Sequence, residues 1–209
     1  MASSSLNSPS VCALALVFAL AGGAQEASSD RQELVLESGP LNFNGQAGLF
    51  EISAPRITQG DLHIEADEAL ATGIEFDESS EWRFRGNVRI EVGTAVMEAN
   101  SAVFAFANEQ LSHGELEGAP VSFSDVDSET QTSVTGRAQK MSYDNVARTL
   151  RMTGDVRMQK NNTEMRGCDI IYDFEAEGIR SGSADCSDPF RVRVIPDSTE
   201  RAAASDAPQ

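Results

Sequence analysis

The chain nearly repeats itself once, and what it repeats is a strand pattern. Trp82-Arg83-Phe84-Arg85-Gly86-Asn87-Val88-Arg89-Ile90 returns as Leu150-Arg151-Met152-Thr153-Gly154-Asp155-Val156-Arg157-Met158, with 68 residues separating Gly86 from Gly154. The spacing persists downstream: Met97 falls on Met165, Ala102 on Ile170, Phe104 on Tyr172 and Phe106 on Phe174. Both copies alternate apolar and polar residues, the period of a half-buried β-strand. Stacked copies of one such pattern bury a continuous apolar interior. Gly86 and Gly154 sit in mid-strand on the apolar side, where glycine marks a bulge or a close backbone approach. Such a glycine lets a sheet fold sharply over its own interior. An ordinary sandwich core satisfies the same alternation.

Strand-like segments follow one another from about residue 34 to 195, and no convincing helical stripe interrupts them. Leu34–Leu36 and Leu41–Phe43 flank a Gly-Pro break, and Asn44-Gly45 predicts a two-residue hairpin loop. In Asp61–Asp67, Leu62, Ile64 and Ala66 share one face while His63, Glu65 and Asp67 share the other. Glu115–Phe123 follows the first repeat, with Gly118 and Pro120 marking a kink or bulge. Residues 125–132 read as a loop, residues 136–174 hold the second repeat, and Phe190–Ile195 closes the series. The fold class is all-β. The domain runs over 34–195, preceded by a flexible leader at 25–33 and followed by a disordered tail at 196–209.

The N-terminus reads differently. Val11–Ala24 is uncharged, apolar and ends in small residues. It is shorter than the roughly 20 residues of a membrane span and fits a signal peptide, residues 1–24. No Lys or Arg precedes it, so a misassigned start and an uncleaved anchor are the alternatives. Cleavage removes no charged side chain, and the formal charge stays at −17. That charge argues against nucleic acid, whose phosphates require cations, and against broad docking on anionic headgroups.

Cys168 and Cys186 are the cysteines left after cleavage. A hairpin centred on Glu177 places them opposite each other, as a disulfide in an oxidising compartment. The loop it closes is stabilised by about 3 kcal/mol in the chain-entropy model. Two free thiols are the alternative. His63 beside Glu65 and Asp67 is the best catalytic or metal-binding grouping available. It lacks further ligands, His113 being the only other histidine, and no nucleophile elbow or phosphate loop is present. Neither an enzyme nor a cofactor is expected.

In order along the chain come Ile64-Glu-Ala-Asp67, Phe84-Arg-Gly-Asn-Val-Arg-Ile90, Leu116-Glu-Gly-Ala-Pro-Val-Ser-Phe123, Gly136-Arg-Ala-Gln-Lys-Met-Ser-Tyr-Asp144, Leu150-Arg-Met-Thr-Gly-Asp-Val156 and Met165-Arg-Gly-Cys-Asp-Ile-Ile-Tyr-Asp173. This ordered set resembles the LptA/OstA family of periplasmic lipopolysaccharide-transport proteins over residues 57–195. The resemblance implies an elongated, twisted antiparallel β-jellyroll with an open apolar groove. Lipopolysaccharide acyl chains would lie in that groove on the way from the inner to the outer membrane. It also implies a periplasmic location. The expected partners are LptC-like inner-membrane and LptD-like outer-membrane jellyrolls, joined by edge-strand pairing, and further copies stacked head to tail.

The family pattern places Leu62, Ile64, Phe123 and Tyr143 along the lipid path. Alternation adds Trp82, Phe84, Phe104, Phe106, Met152, Ile170, Tyr172 and Phe174. Arg83, Arg85 and Arg89 are candidates for lipid A phosphates at the groove mouth. Residues 34–56 extend beyond the shortest family pattern as an extra hairpin. A membrane-anchored LptC-like component and a β-repeat scaffold without ligand are the alternatives.

Overall fold

A computed structural model describes residues 32–78, 80–127, 130–181, 186 and 189–196. The expected signal peptide and most of the leader and tail lie outside the described residues. Those described contain no helix and fourteen strands in one sheet. In chain order the strands are β1 (Val35–Glu37), β2 (Leu41–Asn44), β3 (Leu49–Ser53), β4 (Arg56–Gln59), β5 (Leu62–Glu65), β6 (Glu68–Ala71), β7 (Glu81–Val92), β8 (Ala95–Ala107), β9 (Gln110–Val126), β10 (Ser133–Asp144), β11 (Thr149–Lys160), β12 (Thr163–Asp173), β13 (Gly178–Ser181) and β14 (Arg191–Val194). Every pairing is antiparallel.

The six long strands, β7 to β12, share one irregularity. Their registers break between Arg85 and Val88, Glu98 and Ser101, Ala138 and Lys140, and Thr153 and Val156. These breaks lie side by side across the sheet and form a crease. At the two repeat-related positions the backbone turns left-handed: Gly86 (φ 74°) is followed by Asn87 (46°), and Gly154 (77°) by Asp155 (44°). A Cβ on Gly86 would stand 2.3 Å from Asp67 Oδ2, and one on Gly154 2.6 Å from Gln139 Oε1. Only glycine fits such a close approach at positive φ. The short strands obey the same line. Ala54-Pro55 separates β3 from β4, and Ala66-Asp67 separates β5 from β6.

The crease divides the sheet into two leaves. Leaf one contains β2, β3 and β6, residues 81–85, 101–107, 110–117, 140–144, 149–153 and 169–173 of the long strands, and β13. Leaf two contains β1, β4 and β5, residues 88–92, 95–98, 121–126, 133–138, 156–160 and 163–167, and β14. Residues 34–56 are therefore part of the sheet and lengthen both leaves at one end. The leaves fold face to face: Phe123 of leaf two meets Tyr172 (5.6 Å) at a tilt and Phe174 (6.0 Å) edge-to-face, both from leaf one. Gly136 makes room for Met152 across the interior, since a Cβ there would lie 2.8 Å from its sulfur.

Two local expectations are corrected. Asn44-Gly45 does not make a two-residue loop. Asn44 pairs with Leu49 across residues 45–48, and its Oδ1 accepts from the amides of Gln46 and Ala47. That side-chain cap stabilises the longer turn. The hairpin after β12 is centred near residues 175–176, with Asp173 opposite Gly178 and Tyr172 opposite Ile179, and not on Glu177. Cys168 and Cys186 are nevertheless bonded, their Cα atoms 5.9 Å apart, because Cys186 lies beyond the end of β13.

Candidate functional site

The interior between the leaves is where eleven of the twelve sequence-assigned residues are buried. Ile64, Trp82, Phe84, Met152 and Ile170 have no exposed surface. Phe104, Phe106, Phe123, Tyr143 and Tyr172 are at most 2% exposed, and Leu62 is 9% exposed. Phe174 is partly buried and packs on the same cluster. Alternation explains why: period 2 sends every second side chain of a strand to one face, and the fold at the crease makes that face the inside of both leaves. Aromatic rings cluster in leaf one, where Trp82 stacks on Phe76 at 4.5 Å and Phe84 meets Phe104 at 5.1 Å. Trp82 Nε1 is buried among them with no acceptor in reach among the described residues.

An open apolar groove is not seen. The interior is filled by its own side chains, as expected when nothing else covers them: exposing apolar surface costs roughly 25 cal/mol per Å². The border opposite the crease, the mouth, is closed without any strand pairing. Gln59 Nε2 of leaf two donates to the Glu109 carbonyl of the β8–β9 turn at 2.6 Å. Tyr172 OH donates to Asp125 Oδ2 at 3.3 Å. Lys160 Nζ donates to the Glu177 carbonyl at 2.8 Å and pairs with its carboxylate at 3.5 Å. Burial, then the Asp125 charge, pushes the Tyr172 hydroxyl well above its ordinary range, so it stays a neutral donor. Sequence reasoning singled out Tyr172 for its ring alone and missed Gln59, Asp125 and Lys160, which are polar and far apart in the chain.

Two hollows open along the mouth. One, of about 190 Å³, lies between Leu62 and Val92 of leaf two and Leu111, Tyr143 and Arg148 of leaf one. The other, of about 300 Å³, lies between Asp125 and Val134 of leaf two and Tyr172, Phe174 and Glu177 of leaf one. Tyr143 OH donates to Asn145 Oδ1 at 2.8 Å and accepts from Arg148 at 3.2 Å, which fixes the rim of the first.

The arginines assigned to the mouth lie elsewhere. Arg85 and Arg89 flank the crease, on the far side of the molecule from the mouth. Arg83 pairs with Glu81, and Arg89 with Glu91 and Glu98. His63 and His113 project from the outer faces of different leaves, near Thr58 and Glu115 respectively. No cluster of three metal-ligating side chains occurs among the described residues.

This geometry has relatives. The chain superposes on LptH, the LptA-homologous periplasmic component of the lipopolysaccharide transport device of Pseudomonas aeruginosa. The TM-score is 0.52 at 11% identity, covering 80% of this chain and 99% of that one. A search of the curated proteins gives no match. The family model for LptA and the LptD N-terminal domain matches residues 63–177, more than half of the chain and the segment from β5 to the turn after β12. The creased, two-leaved sheet thus belongs to a chain of the LptA/LptD N-terminal-domain family of lipopolysaccharide-transport proteins.

Proposed function

We propose that this protein is a periplasmic bridge that carries lipopolysaccharide from the inner to the outer membrane, its acyl chains held between the two leaves. The observation that carries this reading is the asymmetry of the interior's borders: backbone closes one side, side chains alone close the other. Parting the mouth exposes an apolar wall running the length of the sheet. Each acyl methylene buried there contributes roughly 0.8 kcal/mol, so a few methylenes offset the polar contacts given up at the mouth. Leu62, Ile64, Trp82, Phe84, Phe104, Phe106, Phe123, Tyr143, Met152, Ile170, Tyr172 and Phe174 form that wall.

The ends of the sheet support the partner assignment. At one end β2 exposes Leu41 (44%) and Phe43 (59%); at the other β14 exposes Val192 (56%) and Val194 (68%). An unpaired edge invites a further strand. LptC-like and LptD-like jellyrolls, or further copies of this chain, would add strands there. Cleavage after the N-terminal run Val11–Ala24 would make the protein a released bridge, and its retention an anchored LptC-like component. A ligand-free β-repeat scaffold is the second reading, favoured by the filled interior.

The test places a photo-crosslinking residue at Phe104, inside, and separately at Arg89, outside, in intact cells. Lipopolysaccharide adducts at Phe104 with few at Arg89 are expected. Tying the mouth shut with a short bismaleimide between Gln59→Cys and Glu109→Cys should abolish the Phe104 adduct. No adduct at Phe104 in folded, exported protein would leave the scaffold as the better account.

A further inference from the structure

The outer face of leaf two carries one charged row that crosses ten strands in register. Glu37 lies opposite Arg56, Arg56 opposite Glu65, Glu65 opposite Arg89 and Arg89 opposite Glu98. Signs alternate over these positions, and ion pairs join Arg56 to Glu65 at 3.2 Å and Arg89 to Glu98 at 2.9 Å. Ser122 comes next, and there the alternation stops. Arg137 lies opposite Ser122, Arg157 opposite Arg137, Arg166 opposite Arg157 and Arg191 opposite Arg166. Four arginines stand on adjacent strands with no carboxylate between them, in a chain of net charge −17. Like charges directly opposite each other destabilise a sheet, so folding alone does not account for the row.

Three of the four lack a strong partner, Arg191 among them, which makes no ion pair among the described residues. Arg166 is held by Glu164 at 2.5 Å. Arg157 reaches only Asp155 at 3.5 Å, both side chains more than half exposed, and Arg137 makes no ion pair among the described residues. Arg137 and Arg157 border a hollow of about 490 Å³ that also presents Ser122, Thr135 and Gln159. Glu98 and Glu164 touch the same hollow, but Arg89 and Arg166 engage them. The same two arginines border a second hollow, of about 640 Å³, beside Pro120.

We propose that Arg137 and Arg157 form an oxyanion site for a phosphomonoester dianion with the Thr135 hydroxyl beside them, completed when Ser122 Oγ turns from Glu98 Oε2 (3.3 Å) and Gln159 Nε2 from the Asn161 carbonyl (2.9 Å) toward the ligand. A carboxylate offers two oxygens and one charge, enough for one guanidinium fork. A phosphomonoester offers three acceptor oxygens and close to two charges, which suits two forks with hydroxyl donors beside them. The sheet separates this site from the interior, so it stands whether or not acyl chains enter between the leaves. A lipid headgroup and a soluble phosphomonoester present the same chemistry.

The test uses the full chain, labelled with ¹⁵N, titrated with inorganic phosphate while the arginine Nε–H signals are followed. Sodium chloride at matched ionic strength is the control. Saturable shifts at Arg137 and Arg157 are expected, with affinity at least tenfold weaker in R137Q and R157Q and unchanged in R83Q. Each of the first two variants relieves a like-charge contact, so the unfolding midpoint should hold or rise, separating lost binding from lost fold. Shifts that fail to saturate, that chloride reproduces, or that survive in the R137Q/R157Q double variant overturn the site. Sedimentation with phosphatidylcholine vesicles containing phosphatidic acid, dependent on both arginines, assigns the lipid source. Phosphate binding without sedimentation assigns the soluble one, and either result supports the site.

Discussion

The crease and the mouth are the two long borders of one interior, and different forces close them. At the crease the backbone itself crosses from leaf to leaf through β7 to β12, and amides are satisfied locally: Asp67 N donates to Gly86 O at 2.9 Å and Ala54 N to Asp67 O at 2.7 Å. At the mouth the closing hydrogen bonds come from Gln59, Lys160 and Tyr172 side chains. A hydrogen bond of this kind contributes about 1 kcal/mol net, whereas the crease cannot part without unfolding strands. The difference assigns a direction to any opening, which would hinge about the crease.

The sharpest way to break this comparison is to damage the interior on each side. Phe84, two residues from the crease, has no exposed surface, and Phe84→Ala should cost about 4 kcal/mol in urea unfolding. Gly86→Val forces a β-branched residue to a φ of 74° with its Cβ 2.3 Å from Asp67 Oδ2. It should cost about 3 kcal/mol, and the loss should appear as unfolding without increased lipid uptake. Phe174, partly buried at the mouth, should lose about half as much as Phe84 on truncation to Ala, about 2 kcal/mol. A Phe174→Ala loss equal to that of Phe84→Ala would mean that the two borders are alike.

Smaller effects sharpen the distinction. Lys160→Met removes the bond to Glu177, a partly exposed pair worth at most about 1 kcal/mol. Amide hydrogen exchange should quicken at residues 157–160 and 174–178 and stay unchanged at 84–88. The smallest effect is expected on the outer surface, where Lys140 and His113 approach Glu115. Burial opposes the Glu115 charge, but bonds from Lys140, His113 and Ser142 outweigh it and hold its pKa below the ordinary value. A depressed folded pKa stabilises above the unfolded pKa, and the contribution vanishes as pH falls through the folded one. The Glu115 bond likewise raises Lys140, whose contribution is lost only as pH rises through its folded pKa. The penalty of Lys140→Met should therefore be constant near neutrality and fade in acid, by under about 1 kcal/mol, read from urea midpoints against pH.

Much of this architecture is legible in the sequence because strand alternation is local. Trp82, Phe84, Val88 and Ile90 declare their face within one segment, and the 68-residue offset carries that reading to Leu150, Met152, Val156 and Met158. Gly86 and Gly154 announce the crease in the two repeat copies, but the break at Ala99-Asn100 has no glycine and reads as ordinary strand. The mouth is opaque for another reason. Gln59 meets Glu109 across 50 residues and Lys160 meets Glu177 across 17, and both meetings depend on how the leaves are staggered, which no periodicity encodes. The four-arginine row escapes notice likewise, because its members are brought opposite each other only by the registers of β10, β11, β12 and β14.

Because every long strand bends at the same line, the folded sheet has a constant cross-section, like an extruded profile. One 68-residue unit, from β7 to the equivalent point in β11, advances four strand spacings, or about 19 Å at roughly 4.8 Å each. Duplicating such a unit would lengthen the folded sheet by that step and leave its interior side chains and end edges unchanged. Length in this architecture is thus set by how many units the chain contains, independently of which side chains line the interior.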